Sequence, residues 1–181
     1  MSDLRTVYDD FLRGRGDPHR QAMSAMGWES GVWLEAQLPV WGPRTILDLG
    51  SGWSSIIFRR YQASREVRVV TVDQHDTYLG LTRGDCGRFG LSTEDMVLLE
   101  GYRTRERFDL VCLDLAGTDH RLRIAPQVDA WLAEGGRIVL DDWHMDHYQP
   151  AMTAVLEGLG YTVEAIPETT DQFGRYLAVA Q

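Results

Sequence analysis

The sequence predicts an α/β fold, with a mostly parallel sheet, helices on both faces and an antiparallel hairpin at one edge. Three observations predict it. Short apolar runs alternate with amphipathic segments from Arg44 to the C-terminus, the pattern of strands joined by helical crossovers. Four of those runs, TILDL, VRVVTVD, DLVCLD and RIVLDD, are continuously hydrophobic rather than alternating, as strands covered on both faces must be. The last two strand candidates, YTVEAI and YLAVA, are joined by IPETTDQFGR. That connection lacks a helical period and fits a hairpin better than a crossover.

Taken in order, Leu4 to Leu12 and Gln21 to Trp41 read as helices, with Trp33, Leu34 and Leu38 at helical spacing and Pro18 and Pro39 as punctuation. They form a helical cap segment over residues 1–43, and residues 44–181 carry the sheet. RTILDL leads into a helix over Ser54 to Gln62, and VRVVTVD into one over Tyr78 to Phe89. MVLLE is the third strand. FDLVCLD is followed by a helix over Ile124 to Glu134, and GRIVLDD by one over Pro150 to Leu159. With 181 residues and 44% hydrophobic content, the chain suffices for one core and is short for two, so a single domain is expected.

The formal charge of −9, from 18 basic against 27 acidic side chains, repels a phosphate backbone and disfavours nucleic acid as a partner. Every basic residue is Arg, which removes Lys from the choice of general bases. Cys112 sits inside an apolar run and Cys86 has no partner at framework spacing, so no disulfide scaffold is implied. No stretch approaches the roughly 20 apolar residues of a membrane span, and the first residues lack a signal-peptide core. A cytoplasmic chain without a membrane partner is expected, with homo-oligomerisation left open.

The central strands end in acids: Asp48, Asp73, Asp114, and the pair Asp141 and Asp142. Ligands of open α/β sheets bind outside those carboxyl ends. After the first strand comes GSGWSS, where Gly50 and Gly52 let a ligand approach the backbone, and the helix that follows turns its free amides toward the same space. The third glycine of a dinucleotide fingerprint is missing, so a structural tight turn remains the competing reading. Asp73 lies 23 residues beyond Gly50, where a carboxylate can accept both hydroxyls of a ribose.

LDLGSGWSS, VVTVDQH, FDLVCLDLAG and GGRIVLDDWH together resemble the successive motifs of class I S-adenosylmethionine-dependent methyltransferases, from about Arg44 to the C-terminus. The edge hairpin separates that Rossmann-like fold from a dinucleotide-binding one. The resemblance implies S-adenosylmethionine as cofactor. Its methionine moiety would lie against Asp48, Gly50, Ser51 and Gly52, its ribose on Asp73 with Gln74 beside it, and its adenine near Gly101 and Tyr102. The usual acidic or amide residue is missing from that last place, and Asp114 joins the cofactor contacts through the amine. Structural alternatives stay open: Asp48 could satisfy the turn's own amides, and Asp73 could cap a helix.

Asp114, Asp141 and Asp142 fall at the ends of strands ~4.8 Å apart, where like charges repel and a hard divalent ion would relieve them. The arrangement resembles metal-dependent O-methyltransferases of the catechol and macrocin types, and implies Mg²⁺ on these three residues. GSGWSS, and GTDH after LDLA, are closer to the macrocin type. Gly117 stands where the catechol type has its basic residue, so another base is needed. His144 is the candidate, His120 and His147 are reserves, and Asp114 completes the catalytic set. The competing readings are helix capping by Asp141 or Asp142 and loop bonding by Asp114. Trp53 and Trp143 are candidates for the wall of an acceptor pocket, and Met26 to Glu29 for contact with the acceptor, whereas Trp33 and Trp131 read as packing.

The expectation is therefore an O-methyltransferase acting on a small hydroxylated molecule with metal assistance. Two alternatives remain: a metal-independent N- or O-methyltransferase using His144 alone, and a non-catalytic cofactor-binding module. A base-flipping nucleic-acid methyltransferase is disfavoured by DLAG, which replaces the proline-containing, aromatic-ended tetrapeptide of that group. A NAD-dependent oxidoreductase is disfavoured because the chain offers one nucleotide-binding half.

Overall fold

The computed structural model describes residues 3–115 and 117–181. Three helices come first: α1 (Leu4–Gly14), α2 (Pro18–Ser24) and α3 (Trp28–Trp41). Then follow β1 (Thr45–Leu49), α4 (Trp53–Gln62), β2 (Arg68–Asp73), α5 (Asp76–Arg88), β3 (Met96–Leu98), β4 (Phe108–Leu113), α6 (Thr118–Trp131), β5 (Leu132–Leu140), α7 (Tyr148–Gly158), β6 (Val163–Ile166) and β7 (Leu177–Ala180). The seven strands form one sheet in the order β3-β2-β1-β4-β5-β7-β6. The pairs among β1 to β5 are parallel, and β7 runs antiparallel to both β5 and β6. That is the predicted architecture, hairpin included.

Alternate residues of each buried strand serve opposite faces. Ile46, Val69, Leu110 and Val139 pack with α1, α3, α4 and α5, whereas Leu47, Val70, Val111 and Ile138 pack with α6 and α7. Both faces are therefore dry, which accounts for the unbroken apolar runs. Strand order reverses beside β1, whose neighbours are β2 and β4, so the crevice at the carboxyl ends of β1, β2 and β4 is the natural ligand position.

Two helices differ from expectation. The run expected as one helix over Gln21 to Trp41 is two, because Gly27 is extended (φ −62, ψ 158) and starts α3 as its N-cap. A Cβ at Gly27 would press on the Asp171 carboxylate, so the break lets the cap approach the β6–β7 connection. The sixth helix starts at Thr118 rather than near Ile124, because Gly117 (φ 83) turns the chain immediately after β4. His120 and Arg121 thus join its first turns instead of a loop.

The cap is fastened by arginines. Arg175, beside the hairpin, pairs with Asp171 at 2.6 Å and donates to the carbonyls of Ala25 (2.9 Å) and Ala22 (2.6 Å). On the other side, Arg15 pairs with Asp85 at 2.7 Å and donates to the Thr82 hydroxyl at 2.6 Å. Breaking a buried pair leaves its partner charge stranded. Arg175→Ala should therefore cost about 3 kcal/mol, lowering the thermal midpoint by about 6 to 12 °C for a chain of this size. An unchanged midpoint would contradict this account. Among the described residues, no helix is long and apolar enough to cross a membrane.

Candidate active site

The turn after β1 is built tightly. Gly50 has φ 110, and a Cβ there would collide with the Asp114 carbonyl of the β4 loop. Its amide donates to Val72 at 2.8 Å, and the Asp114 amide donates to Leu49 at 2.7 Å, so the three strand exits are bound together. Gly52 is different. Its backbone is extended (φ 174) and a Cβ would meet nothing within 4 Å. The protein itself does not require glycine at position 52; the bare backbone leaves the adjoining cleft open.

That cleft, of about 270 Å³, is lined by Ser51, Gly52, Asp73, Asp114 and Asp142 from the strand ends. Trp53 and Tyr78 contribute from the helices behind, and Arg15, Gln21, Ala25 and Met26 roof it from the cap. Asp73 is 5% exposed. Its Oδ2 accepts from the Ser51 amide (2.7 Å) and hydroxyl (2.6 Å), and its Oδ1 from the His75 amide (2.7 Å). It therefore braces the glycine turn while facing the cleft.

Other expected contacts lie elsewhere. Asp48 is fully buried below the turn and does not line the cleft. Its carboxylate accepts from Ser54 (2.9 Å), Ser55 (2.5 Å) and Thr71 (3.2 Å), fixing the start of α4 to β1 and β2. Its partners are side-chain hydroxyls rather than the turn's own amides that the structural alternative offered. Tyr102 stacks edge-on to Trp131 at 5.7 Å and lines a separate groove beside α6 with His120. Gly101 (φ 81) turns the chain just before it. Gln74 is half-buried, with its amide nitrogen 3.1 Å from His75 Nε2, outside the cleft lining. Trp143 is buried against Tyr148 (5.9 Å) and does not wall the cleft, while Trp53 does so with its other side packed on Tyr8 and Phe11.

Burial pushes the Asp48 carboxyl up to about 6, against the opposing pull of its hydroxyl donors and of Arg59. Because the folded value exceeds the unfolded one of 3.8, the contribution to stability is full below about pH 4 and is lost as pH rises through 6. Asp48→Asn cannot ionise. Relative to wild type it should gain about 3 kcal/mol between pH 4 and pH 7, read from denaturant midpoints at the two values. A difference independent of pH would refute this.

Asp114, Asp141 and Asp142 do converge, each with one oxygen within 4.8 Å of the others. Asp142 occupies the left-handed region (φ 57), a sparsely populated conformation for a residue with a side chain. Burial first, and then the neighbouring carboxylates, push Asp114 well above its usual range and Asp141 up to about 6. The sequence reading missed Arg121, which is 4% exposed. Its Nη2 donates to Asp114 Oδ1 (2.8 Å) and Asp142 Oδ2 (3.1 Å), its Nε to the Leu115 carbonyl (2.5 Å) and its Nη1 to the Asp141 carbonyl (3.1 Å).

Each of the three residues offers one carboxylate oxygen to a common point, a donor set that fits a hard divalent ion. His144 follows two residues after Asp142, half-buried, with Nδ1 screened from water and lacking a hydrogen-bond partner in the protein. It is not part of the cleft lining. The reserve His147 is exposed, its Nε2 lying 3.1 Å from the Thr118 hydroxyl.

No protein-family model matches the sequence, and no curated protein is similar to it. Solved structures are. An O-methyltransferase from Bacillus cereus in complex with SAH superposes with a TM-score of 0.75 at 17% identity, covering 99% of this chain and 90% of that one. This is a methyltransferase fold. The Streptomyces achromogenes O-methyltransferase involved in tomaymycin synthesis, in complex with SAM, gives a TM-score of 0.74 at 18% identity, covering 99% and 90%. An SAH-bound methyltransferase from Podospora anserina gives 0.70 at 19%, covering 100% and 88%. The methyltransferase fold thus extends over the cap as well as the sheet.

Proposed function

We propose that this chain is an S-adenosylmethionine-dependent O-methyltransferase acting on a small hydroxylated molecule, with a divalent ion assisting. One observation carries the reading: the unobstructed Gly52 backbone, the Asp73 carboxylate, and Asp114 and Asp142 of the acid cluster share one cleft at the carboxyl ends of β1, β2, β4 and β5. The cofactor-bound O-methyltransferases of the same fold support it. Asp73 has capacity for a ribose diol. Oδ1 holds only the His75 amide, and on Oδ2 a sugar hydroxyl could take the place of the Ser51 hydroxyl while the amide bond persists.

In methyl transfer a C–O bond to the acceptor forms as the sulfonium C–S bond breaks, and the acceptor's proton must leave to a base. Positioning in a closed cleft supplies much of the acceleration, and here Met26 and Ala25 of the cap close the roof. His144 is the base we assign, on its position two residues after Asp142 and its uncommitted ring nitrogen. A divalent ion held by Asp114, Asp141 and Asp142 would lower the pKa of a chelating hydroxyl.

Arg121 favours a second reading, methyl transfer without metal, since a guanidinium already neutralises part of the cluster. Calorimetric titration with S-adenosylhomocysteine tests the shared core of both readings. Micromolar binding is expected, and its absence from folded protein would overturn them. Methyl transfer to catechols and sugar diols, assayed with and without EDTA, then separates the two, because activity surviving chelation rejects the metal.

A further inference from the structure

We infer that Arg121 and a divalent ion are alternative partners of the acid cluster, so that an ion binds only by displacing the guanidinium from Asp114 and Asp142. The inference rests on the reading of this cluster as a cation site, not on methyl transfer, which S-adenosylhomocysteine binding tests separately.

The three carboxylates hold oxygens within 4.8 Å of one another, a separation that positive charge placed among them favours. Arg121 supplies it through a single nitrogen, Nη2, shared between Asp114 Oδ1 and Asp142 Oδ2. An ion chelated by the same carboxylates would lie within a few ångströms of that nitrogen, where a doubly charged ion and a guanidinium repel strongly. Swinging the whole side chain away is obstructed. Nε and Nη1 are tied to the carbonyls of Leu115 and Asp141, and the guanidinium carbon lies 5.8 Å from the Tyr148 ring.

Those carbonyl bonds also make the exchange local. The planar guanidinium stays on the loops after β4 and β5 through Nε and Nη1, so it is the Asp114 and Asp142 carboxylates that turn from Nη2 toward an ion. The cluster therefore remains assembled in either state, with Arg121 setting how much ion is needed to convert it. Removing Arg121, a positioning residue, should therefore strengthen ion binding, which is opposite to what loss of a merely structural brace would do.

The test is Mn²⁺ titration of the full chain, followed by the electron paramagnetic resonance signal of free Mn²⁺, for wild type, Arg121→Met and Arg121→Lys. Arg121→Met should bind at least tenfold more tightly than wild type. Its thermal midpoint should fall in EDTA and recover with Mn²⁺ by more than the wild-type midpoint rises. Arg121→Lys should bind with intermediate affinity, since one compact ammonium cannot hold both carboxylates and both carbonyls; it decides the matter if the methionine variant does not fold. Folded variants that bind Mn²⁺ no more tightly than wild type would overturn the proposal, as would absence of Mn²⁺ binding from every chain. S-adenosylhomocysteine titration of the same samples keeps the two readings apart: its failure alone rejects methyl transfer and leaves the Mn²⁺ comparison standing.

Discussion

Asp73→Ala is expected to weaken S-adenosylhomocysteine binding at least about 100-fold, equivalent to about 2.7 kcal/mol. A carboxylate accepting two hydroxyls contributes about 1.5 to 3 kcal/mol for each charge-assisted bond, so the loss follows even if water recovers part of it. The variant also removes the acceptor for the Ser51 and His75 amides, which loosens the turn that the ligand must approach. Asp73→Asn separates these effects. It keeps the shape and one acceptor, and should lose about tenfold in affinity with less change in the thermal midpoint. Equal binding by wild type and Asp73→Ala, both folded by circular dichroism, would remove the proposed ribose contact.

The two glycines of the turn should fail in opposite ways. Gly50→Ala forces a side chain into φ 110 and against the Asp114 carbonyl. It should cost about 4 kcal/mol and lower the midpoint by about 8 to 16 °C. A Cβ at position 52 meets no protein atom within 4 Å, so the stability of Gly52→Val should stay within about 1 kcal/mol of wild type. Its isopropyl group would project where the cleft is open, and affinity for S-adenosylhomocysteine should fall at least tenfold. A Gly52→Val protein that binds normally would mean that the ligand does not lie along this turn.

Much of the fold was legible because the strands are dry on both faces. Continuous runs such as RVVTVD and LVCL admit few other readings, and the hairpin followed from a connection without helical period. Glycine conformation was less legible. Gly27 and Gly117 look alike in sequence, yet one is extended as an N-cap and the other left-handed (φ 83), and the second choice moved α6 by two turns. Arg121 went unrecognised for that reason, since its reach to Asp114 and Asp142 depends on where the helix begins. The acid cluster was visible because strand ends in a parallel sheet are forced together. The role of Asp48 was not, since only the placement of Ser54, Ser55 and Thr71 around it shows the carboxylate already committed.

The interior cations of this molecule are all guanidinium groups. Arg15, Arg121 and Arg175 each clasp carboxylates, and Arg59, 1% exposed, donates to Thr71, which in turn donates to Asp48. A lysine in such a place could shed its proton under desolvation and release its partner; a guanidinium keeps its charge across the whole range in which proteins survive. The clasps can therefore be undone only from the carboxylate side. Alkali leaves them standing, and strong acid, by neutralising Asp171, which against the pull of burial Arg175 and the loop amides hold below the usual carboxylate range, unfastens the roof from the hairpin.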